Sequence, residues 1–176
     1  MSDYTIDAAI FILPIPLCKR FTHNFWLLRD IKNNKVIAQL HGFATSRRTN
    51  KIVPIGYKRE HSLRAYCLIY DNDFANQYNL ELNSYKLPIH AYKTIYTGND
   101  SIPRWLQAVH AIKAINSLNL DYPRGGFCLP LARTINSNSV YHTFAQVMGI
   151  PLPIFADFLQ VGIHTSLYEL IKHHLK

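Results

Sequence analysis

A short polar turn at residues 134–144 carries the most chemically suggestive side chains of this sequence, Thr-Ile-Asn-Ser-Asn-Ser-Val-Tyr-His-Thr-Phe. Either Asn136 or Ser137 can cap a helix here, and Gly149 and Pro151 would end that helix. The start of a helix presents unpaired backbone N–H groups and a partial positive charge. A nucleophile in this position would have a partly built oxyanion hole, although Asn and Ser are also the commonest residues of plain helix caps.

Two histidines earlier in the chain could supply a base for such a nucleophile. Residues 21–30 are predicted to form an aromatic strand, Lys32 to Lys35 a turn, and residues 36–44 the returning antiparallel strand. His23 near the start of the first strand and His41 near the end of the second could therefore lie close together. One imidazole could act as a base while the other fixes its tautomer and orientation. Taken singly, each is more often a satisfied, partly buried histidine.

The remaining pattern predicts one α+β domain spanning residues 1–176, with an antiparallel β-sheet packed against helices. Residues 74–100 are expected to be loop and short strands, since they are rich in Asn and Tyr. Further elements are expected as strands at Ala8–Leu17, Leu63–Tyr70 and Tyr92–Tyr96, and as helices from Pro103 to about Leu118, from Phe155 to Val161, and after a capping box at Ser166.

The surface charge favours anionic partners. Nineteen basic residues against eleven acidic ones give a net charge of +8, while 48% hydrophobic residues are typical of a folded protein. The densest basic region runs from Arg47 to Arg64 without a continuous Lys/Arg run. We interpret it as electrostatic steering towards a cell-wall polymer or a membrane lipid, and not as a nucleic-acid footprint.

Cysteine and metal-binding patterns add little. Cys18, Cys67 and Cys128 are odd in number and widely spaced, which is typical of reduced thiols. Cys128 is a rival nucleophile, but its position between Phe127 and Leu129 favours a buried structural thiol. The sequence has no HExxH motif, no Cys/His ligand spacing and no glycine-rich phosphate loop, so we expect neither a metal nor a cofactor.

The apolar segment Ala8–Leu17 does not have the pattern of an export signal. It follows Asp3 and Asp7 instead of a basic region, and prolines interrupt it before it could span a bilayer. We therefore expect no transmembrane segment, synthesis in the cytoplasm without a signal peptide, and export, if the protein is exported, by a dedicated secretion machine.

These parts together resemble the permuted NlpC/P60 group of papain-like hydrolases, which includes lecithin:retinol acyltransferase-like enzymes. In better-known members the late motif is Asn-Cys-x-x-Phe, and bacterial branches with Asn-Ser-Asn-Ser/Thr are also similar. The resemblance covers roughly Ile10–Ala44 and Trp105–Gly149. It implies a circularly permuted papain-like fold, with Ser137 as the nucleophile, His23 as the general base and His41 as the orienting residue.

The resemblance also implies an activity. Ser137 would attack a carbonyl, with Asn136, Asn138 and Ser139 contributing to substrate or oxyanion contacts. The expected substrate is a peptide amide of the bacterial cell wall, and the protein would suit an antibacterial effector with a secretion-system carrier or an immunity protein as partner. Serine in place of cysteine matters, because a serine hydroxyl does not ionise near neutral pH and must lose its proton to the histidine.

Three alternatives stay open from the sequence. A lipid acyl hydrolase or acyltransferase would use the same residues on phospholipids. A catalytically inactive papain-like module would keep the groove for binding alone. A Cys128-dependent enzyme would use a different nucleophile. A short distance between His23 and Ser137 would favour the serine enzymes.

Overall fold

The computed structural model describes residues 3–15, 20–53, 56–131 and 134–175, so Cys18 and the last residues of the first predicted strand lie outside the described residues. The protein has an α+β fold in which an antiparallel sheet packs against helices, as predicted. The strands are β1 (Tyr4–Ile12), β2 (Thr22–Asp30), β3 (Lys35–Ser46), β4 (Ile52–Val53), β5 (His61–Ile69) and β6 (Ala91–Thr97). The helices are α1 (Asn72–Tyr78), α2 (Ser101–Ser117), α3 (Ser137–Met148) and α4 (Tyr168–Ile171), with short 3₁₀ turns at Arg124–Gly126 and Lys172–His174.

The sheet is built on the predicted hairpin. Its main order is β5-β3-β2-β1-β6, and every neighbouring pair is antiparallel. The short strand β4 pairs with Ala44 and Thr45 of β3, residues whose opposite edge is already paired with β5. The strand β2 pairs with the first half of β3, on the edge away from β5. Both β2 and β4 therefore lie along this edge of β3, and a space remains between them.

Helices α2 and α3 cover one face of the sheet. Trp26 of β2 is fully buried there, stacks on Tyr141 of α3 with ring centroids 4.6 Å apart, and donates its indole N–H to the Tyr141 carbonyl at 2.9 Å. Trp105 of α2 is buried in the same cluster. The opposite face is covered by a smaller cluster that joins Phe25 and Leu27 to Leu87. Burial of these aromatic side chains, together with the aliphatic residues around them, stabilises the layer structure.

Helix α3 begins where the sequence predicts. Asn136 is the N-cap, its side chain accepts the backbone N–H of Asn138 at 2.9 Å, and the Ser139 hydroxyl accepts the backbone N–H of Asn136. This reciprocal pair satisfies two of the otherwise unpaired donors of the first turn. Gly149 ends the helix in the left-handed conformation, with φ of 62°. The cap and the stop together fix the position of Ser137 at the first residue of the helix.

The structure corrects three predictions in the connecting segments. A helix, α1, occupies residues that were predicted to be loop, because Asp71 caps it by accepting the Phe74 N–H at 2.9 Å. Residues 155–161 form turns instead of a helix, held by the Gln160 side chain, which donates to the Phe155 carbonyl at 2.9 Å. The final helix is a single turn, Tyr168–Ile171. The Ser166 hydroxyl accepts the Tyr168 N–H at 3.1 Å, but Glu169 forms an ion pair with Lys172 and does not complete the predicted capping box.

Candidate active site

The sheet opens between β2 and β3, and the start of α3 fills the opening. The pairing of the two strands ends at Trp26 and Leu40, so the first residues of β2 have no strand partner on that edge. The Asn138 amide replaces the missing strand: its Oδ1 accepts the Asn24 N–H at 2.9 Å, and its Nδ2 donates to the Thr22 carbonyl at 3.2 Å. The side chain thus pairs with β2 much as a peptide group of a neighbouring strand would.

A glycine of β3 allows the close approach of α3. A Cβ atom at Gly42 would lie 3.1 Å from the Cα of Ser137 and 2.7 Å from the Cβ of Val140. Any larger residue would therefore push the first turn of the helix away from the sheet. Gly42 and Asn138 together hold Ser137 at the opening between the strands.

A hydrogen-bonded chain runs from the opening into the sheet. The His23 Nε2 lies 3.0 Å from the His41 Nδ1, and the His41 Nε2 lies 2.9 Å from the Gln39 Oε1. The Gln39 oxygen also accepts the Tyr70 hydroxyl at 2.7 Å, while its Nε2 donates to the Leu87 carbonyl at 3.3 Å. Since an amide oxygen can only accept, the His41 Nε2 carries a proton and its Nδ1 accepts the Nε2–H of His23. The network therefore leaves the lone pair of His23 on Nδ1.

Both imidazoles lie within a stack of aromatic rings. The His41 ring lies 4.6 Å from Phe25 and 4.6 Å from Phe43, and the His23 ring lies 5.1 Å from Phe43. Only 6% of His23 and 1% of His41 is exposed. Burial lowers the pKa of His23 to about 3, and burial together with the neighbouring His23 places the pKa of His41 well below its ordinary value. Both rings are therefore neutral at neutral pH, which is the state a general base requires.

His23 and Ser137 line the same cavity, whose volume is about 370 Å³. Within the described residues, the His23 Nδ1 has no hydrogen-bond partner and the Ser137 hydroxyl is not bonded to it directly. The cavity thus brings the two residues to one space without a preformed bond between them. Its lining is otherwise mainly apolar and includes Phe11, Leu13, Phe21, Phe43, Ile52, Val53, Tyr85, Leu87 and Phe127.

Tyr122 lies beside Ser137, the candidate nucleophile. Burial raises the pKa of the Tyr122 hydroxyl, and hydrogen bonds from the Ser137 side chain and backbone N–H oppose that shift. The loop that carries Tyr122 is tied to the sheet, since Tyr122 N–H donates to the His61 carbonyl at 2.9 Å and Gly125 N–H to the Gly56 carbonyl at 2.8 Å. A Cβ at Gly56 would lie 2.5 Å from the Tyr122 ring, so the ring packs flat against glycine backbone.

The other predicted site residues, Asn136, Asn138 and Ser139, form hydrogen bonds that hold the start of α3 in place. The Asn136 Nδ2 donates to the Gly126 carbonyl at 2.8 Å, and the Ser139 hydroxyl donates to the Gly162 carbonyl at 3.0 Å. Asn138 is 2% exposed, and its amide pairs with β2. Their side chains hold α3 against its surroundings, and a direct substrate or oxyanion role for them stays a prediction.

The predicted burial of Cys128 is wrong. This cysteine is exposed on the loop before α3, where its backbone N–H donates to the Thr134 hydroxyl at 3.0 Å. The segment is held by the Thr134 hydroxyl, and the neighbouring Phe127 and Leu129 are also exposed, so no apolar core encloses the thiol. Burial instead raises the pKa of Cys67, to about 12.

Three residues of the site were missed by the sequence analysis. Gln39 lies two residues before His41 and therefore on the same face of β3, so strand periodicity could have identified it. Tyr70 and Tyr122 reach the site through the pairing of β5 with β3 and through the loop contact to His61, and no local pattern in the sequence indicates either contact.

Comparisons of the chain with protein-family models, with curated proteins and with solved structures find no match. Among the described residues, no cluster of three His, Cys, Asp or Glu side chains is arranged to hold a metal ion. None of the helices in the described part of the chain has the length and apolar composition needed to cross a bilayer.

Proposed function

We propose that this protein is a serine-dependent acyl hydrolase with a permuted papain-like (NlpC/P60-like) arrangement, in which Ser137 is the nucleophile. The observation that carries the proposal is the neutral His23, whose tautomer is fixed by His41 and Gln39 and which lines the same cavity as Ser137. A hydroxyl nucleophile, an imidazole base and an orienting third group are the parts that acyl transfer requires.

The reaction would proceed through an acyl-enzyme. The Ser137 oxygen attacks the substrate carbonyl carbon while its proton moves to the His23 Nδ1. The bond to the leaving oxygen or nitrogen then breaks, and His23 returns the proton to that leaving group. A water molecule next attacks the acyl carbon and loses its proton to His23. The bond between that carbon and the Ser137 oxygen then breaks, and His23 returns the proton to the serine oxygen, which releases the carboxylic acid and restores Ser137.

The start of α3 and Tyr122 would stabilise the oxyanion. The backbone N–H of Ser137 and the Tyr122 hydroxyl interact with each other, so a substrate oxygen placed between them would accept a hydrogen bond from each. His41 would not exchange protons with substrate. It accepts the His23 Nε2–H and thereby orients the base, much as a carboxylate does in other triads.

The cavity favours an acyl chain over a polar peptide. Its wall beyond Ser137 is formed mainly by phenylalanine, leucine, isoleucine and valine side chains, which gain free energy by contact with a hydrocarbon chain. The cell-wall amide expected from the resemblance is supported only by the net charge of +8, which favours an anionic polymer. We therefore place a lipid ester first and a cell-wall amide second.

A non-catalytic binding module is less consistent with this geometry. A groove used only for binding has no need of a hydrogen-bonded chain that fixes the tautomer of a histidine beside a serine. A base oriented towards the cavity that contains Ser137 accounts for this arrangement directly.

Labelling with a serine-reactive fluorophosphonate tests the proposal. We expect the native chain to be labelled at Ser137, and labelling to be lost in Ser137→Ala and strongly reduced in His23→Ala. Ser117→Ala, at the exposed end of α2, is the matched serine control, and Cys128→Ala tests the rival nucleophile. Labelling that survives Ser137→Ala, or a folded native protein that is neither labelled nor able to cleave a p-nitrophenyl ester, would contradict it.

A further inference from the structure

A second depression adjoins the apolar cavity on the far side of Tyr122. It has a volume of about 410 Å³ and is lined by Lys58, Arg59, Asp121, Tyr122 and Arg124. Tyr122 is common to both spaces, and its hydroxyl contacts Ser137. The depression therefore begins next to the site of the proposed acyl transfer.

The depression carries an unbalanced positive charge. Its single carboxylate, Asp121, forms an ion pair with Arg47 at 2.7 Å and is thus already neutralised. Lys58, Arg59 and Arg124 are exposed, and none of them takes part in an ion pair among the described residues. Three cations without acidic partners, in a depression beside an apolar cavity, are complementary to a molecule with one anionic and one apolar end.

We propose that Lys58, Arg59 and Arg124 bind the phosphate-bearing head group of an acyl ester whose chain occupies the apolar cavity. This assignment rests on the proposed function, because it places the ester carbonyl at Ser137, between the chain and the head group. Arginine offers a planar donor pair to phosphate oxygens, and lysine adds a mobile point charge. The substrate would thus be an anionic acyl amphiphile.

The position of the basic residues supports a head group over a polymeric anion. Arg124 belongs to the 3₁₀ turn whose glycines, Gly125 and Gly126, line the apolar cavity. Lys58 and Arg59 precede β5, whose first residue His61 accepts the Tyr122 N–H. Both segments flank the Tyr122 loop, so the cations lie together in one depression beside the apolar cavity and do not extend along a groove.

The test compares two soluble esters with the same short chains. Dihexanoylphosphatidylglycerol carries the anionic head group, and dihexanoylglycerol lacks it; both are used as monomers, so that adsorption to a membrane does not contribute. We expect the native chain to prefer the phospholipid by about tenfold or more in kcat/KM, since a hydrogen bond to a charged group contributes about 1.5–3 kcal/mol. Lys58→Gln/Arg124→Gln should lower this preference roughly tenfold or more.

A double variant far from the cavity is the matched control. Lys93→Gln/Lys113→Gln removes the same number of positive charges from exposed positions on β6 and α2, and the preference should remain. Inorganic phosphate and glycerol phosphate as competitors separate recognition of phosphate alone from recognition of the whole head group. Inhibition by either at millimolar concentration, lost in Lys58→Gln/Arg124→Gln, is the expected result.

Failure of the head-group assignment and failure of the hydrolase proposal give different results. Equal kcat/KM for the two esters, or a preference that survives Lys58→Gln/Arg124→Gln while Ser137 is still labelled by fluorophosphonate, overturns the head-group assignment alone. Calorimetric binding of the phospholipid to Ser137→Ala tests the subsite without turnover. Tight binding there without any hydrolysis by the native chain would support the subsite and overturn the hydrolase.

Discussion

The two walls of the cavity are built in different ways. The sheet wall holds His23, His41 and Gln39 on two adjacent strands, where a continuous hydrogen-bonded chain and a stack of rings fix each side chain. A second wall comes from the segment around Tyr122 and Gly125, a loop that backbone hydrogen bonds join to the start of β5, through Leu120 and Tyr122, and that contains several exposed apolar residues.

This difference separates two tasks within one site. A proton-transfer group must be held in one tautomer and one orientation, and the interior of a sheet provides that rigidity. A wall that contacts different substrates can be a loop, since loops change sequence and conformation at lower cost to the fold. Substitutions on the sheet wall should therefore change the chemical step, and substitutions on the loop wall should change substrate preference as well.

The largest effect is expected at the two reacting groups. Ser137→Ala and His23→Ala should each reduce kcat/KM for a p-nitrophenyl acyl ester by about 10³-fold or more, because either change removes the shared proton-transfer step. The double variant should be no worse than either single variant. Additive losses measured by steady-state kinetics would show that the two residues act separately.

Tyr122→Phe tests the loop wall at the point where it contacts the nucleophile. Removing the hydroxyl should lower kcat by about 10²-fold with a smaller change in KM, as expected for loss of one oxyanion donor. Tyr85→Phe is the control, since this tyrosine also lines the cavity but has no bond to Ser137 among the described residues. Equal effects of the two changes would make Tyr122 a packing residue only.

Gln39 tests the rigidity of the sheet wall. Gln39→Leu removes the acceptor that fixes the His41 tautomer, so kcat should fall by about tenfold, the value of one hydrogen bond of 1–2 kcal/mol. Gln39→Glu keeps an acceptor for the His41 Nε2–H and should restore most of the activity. If both variants lose activity equally while their thermal unfolding temperatures match the native value, His41 orientation does not depend on this acceptor.

The buried histidines make stability depend on acid. Their pKa values are lowered in the folded state, so the unfolded chain binds more protons below pH 6.5, and stability present above that pH is lost as the pH falls towards 3. For each histidine, the free energy of unfolding should fall by about 1.4 kcal/mol for every unit by which the pH is lowered in this window. Urea unfolding between pH 7 and 4 measures the slope.

Replacing the histidines checks the source of that slope. His23→Gln/His41→Gln should give a flatter dependence, whereas His110→Gln on the exposed side of α2 should leave it unchanged. The same low pKa predicts that kcat/KM keeps its plateau well below pH 6 as long as the protein is folded, because His23 remains the neutral base. An acid limb near pH 6.5 in folded protein would contradict the buried, neutral state.

The smallest effect is expected at the far end of the chain of bonds. Tyr70→Phe removes the hydroxyl that donates to Gln39, 2.7 Å away, and leaves the ring in place. We expect a loss of about 1 kcal/mol in the free energy of unfolding and a decrease in kcat of no more than severalfold. Tyr57→Phe, at an exposed position, serves as the control for a tyrosine hydroxyl.

The two walls also differ in how far the sequence alone predicts them. The sheet wall was predictable because His23 and His41 lie on strands joined by a short turn, so period-two alternation and one local turn determine their proximity. The start of α3 was predictable from its cap and its glycine stop. In both cases the determining residues are neighbours in the chain.

The loop wall depends on contacts between distant segments. Tyr122 is positioned by the carbonyl of His61 and the backbone of Gly56, more than fifty residues earlier, and no local sequence pattern relates residues so far apart. The exposed Cys128 was mistaken for a core residue because apolar neighbours indicate burial only where another element covers them.

The Asn138 amide that pairs with β2 has a consequence for how this chain avoids association with itself. Without that amide, the Thr22 carbonyl and the Asn24 N–H would be unpaired on a strand edge that the Leu159 segment covers only in part, through the Thr22 N–H. An unpaired strand edge is the kind of surface to which another chain adds a strand. The bond joins residues that are 114 positions apart, so the edge is covered only after most of the chain has been synthesised and folded. The same asparagine that holds the first turn of α3 against the sheet therefore also closes part of an edge at which another chain could add a strand.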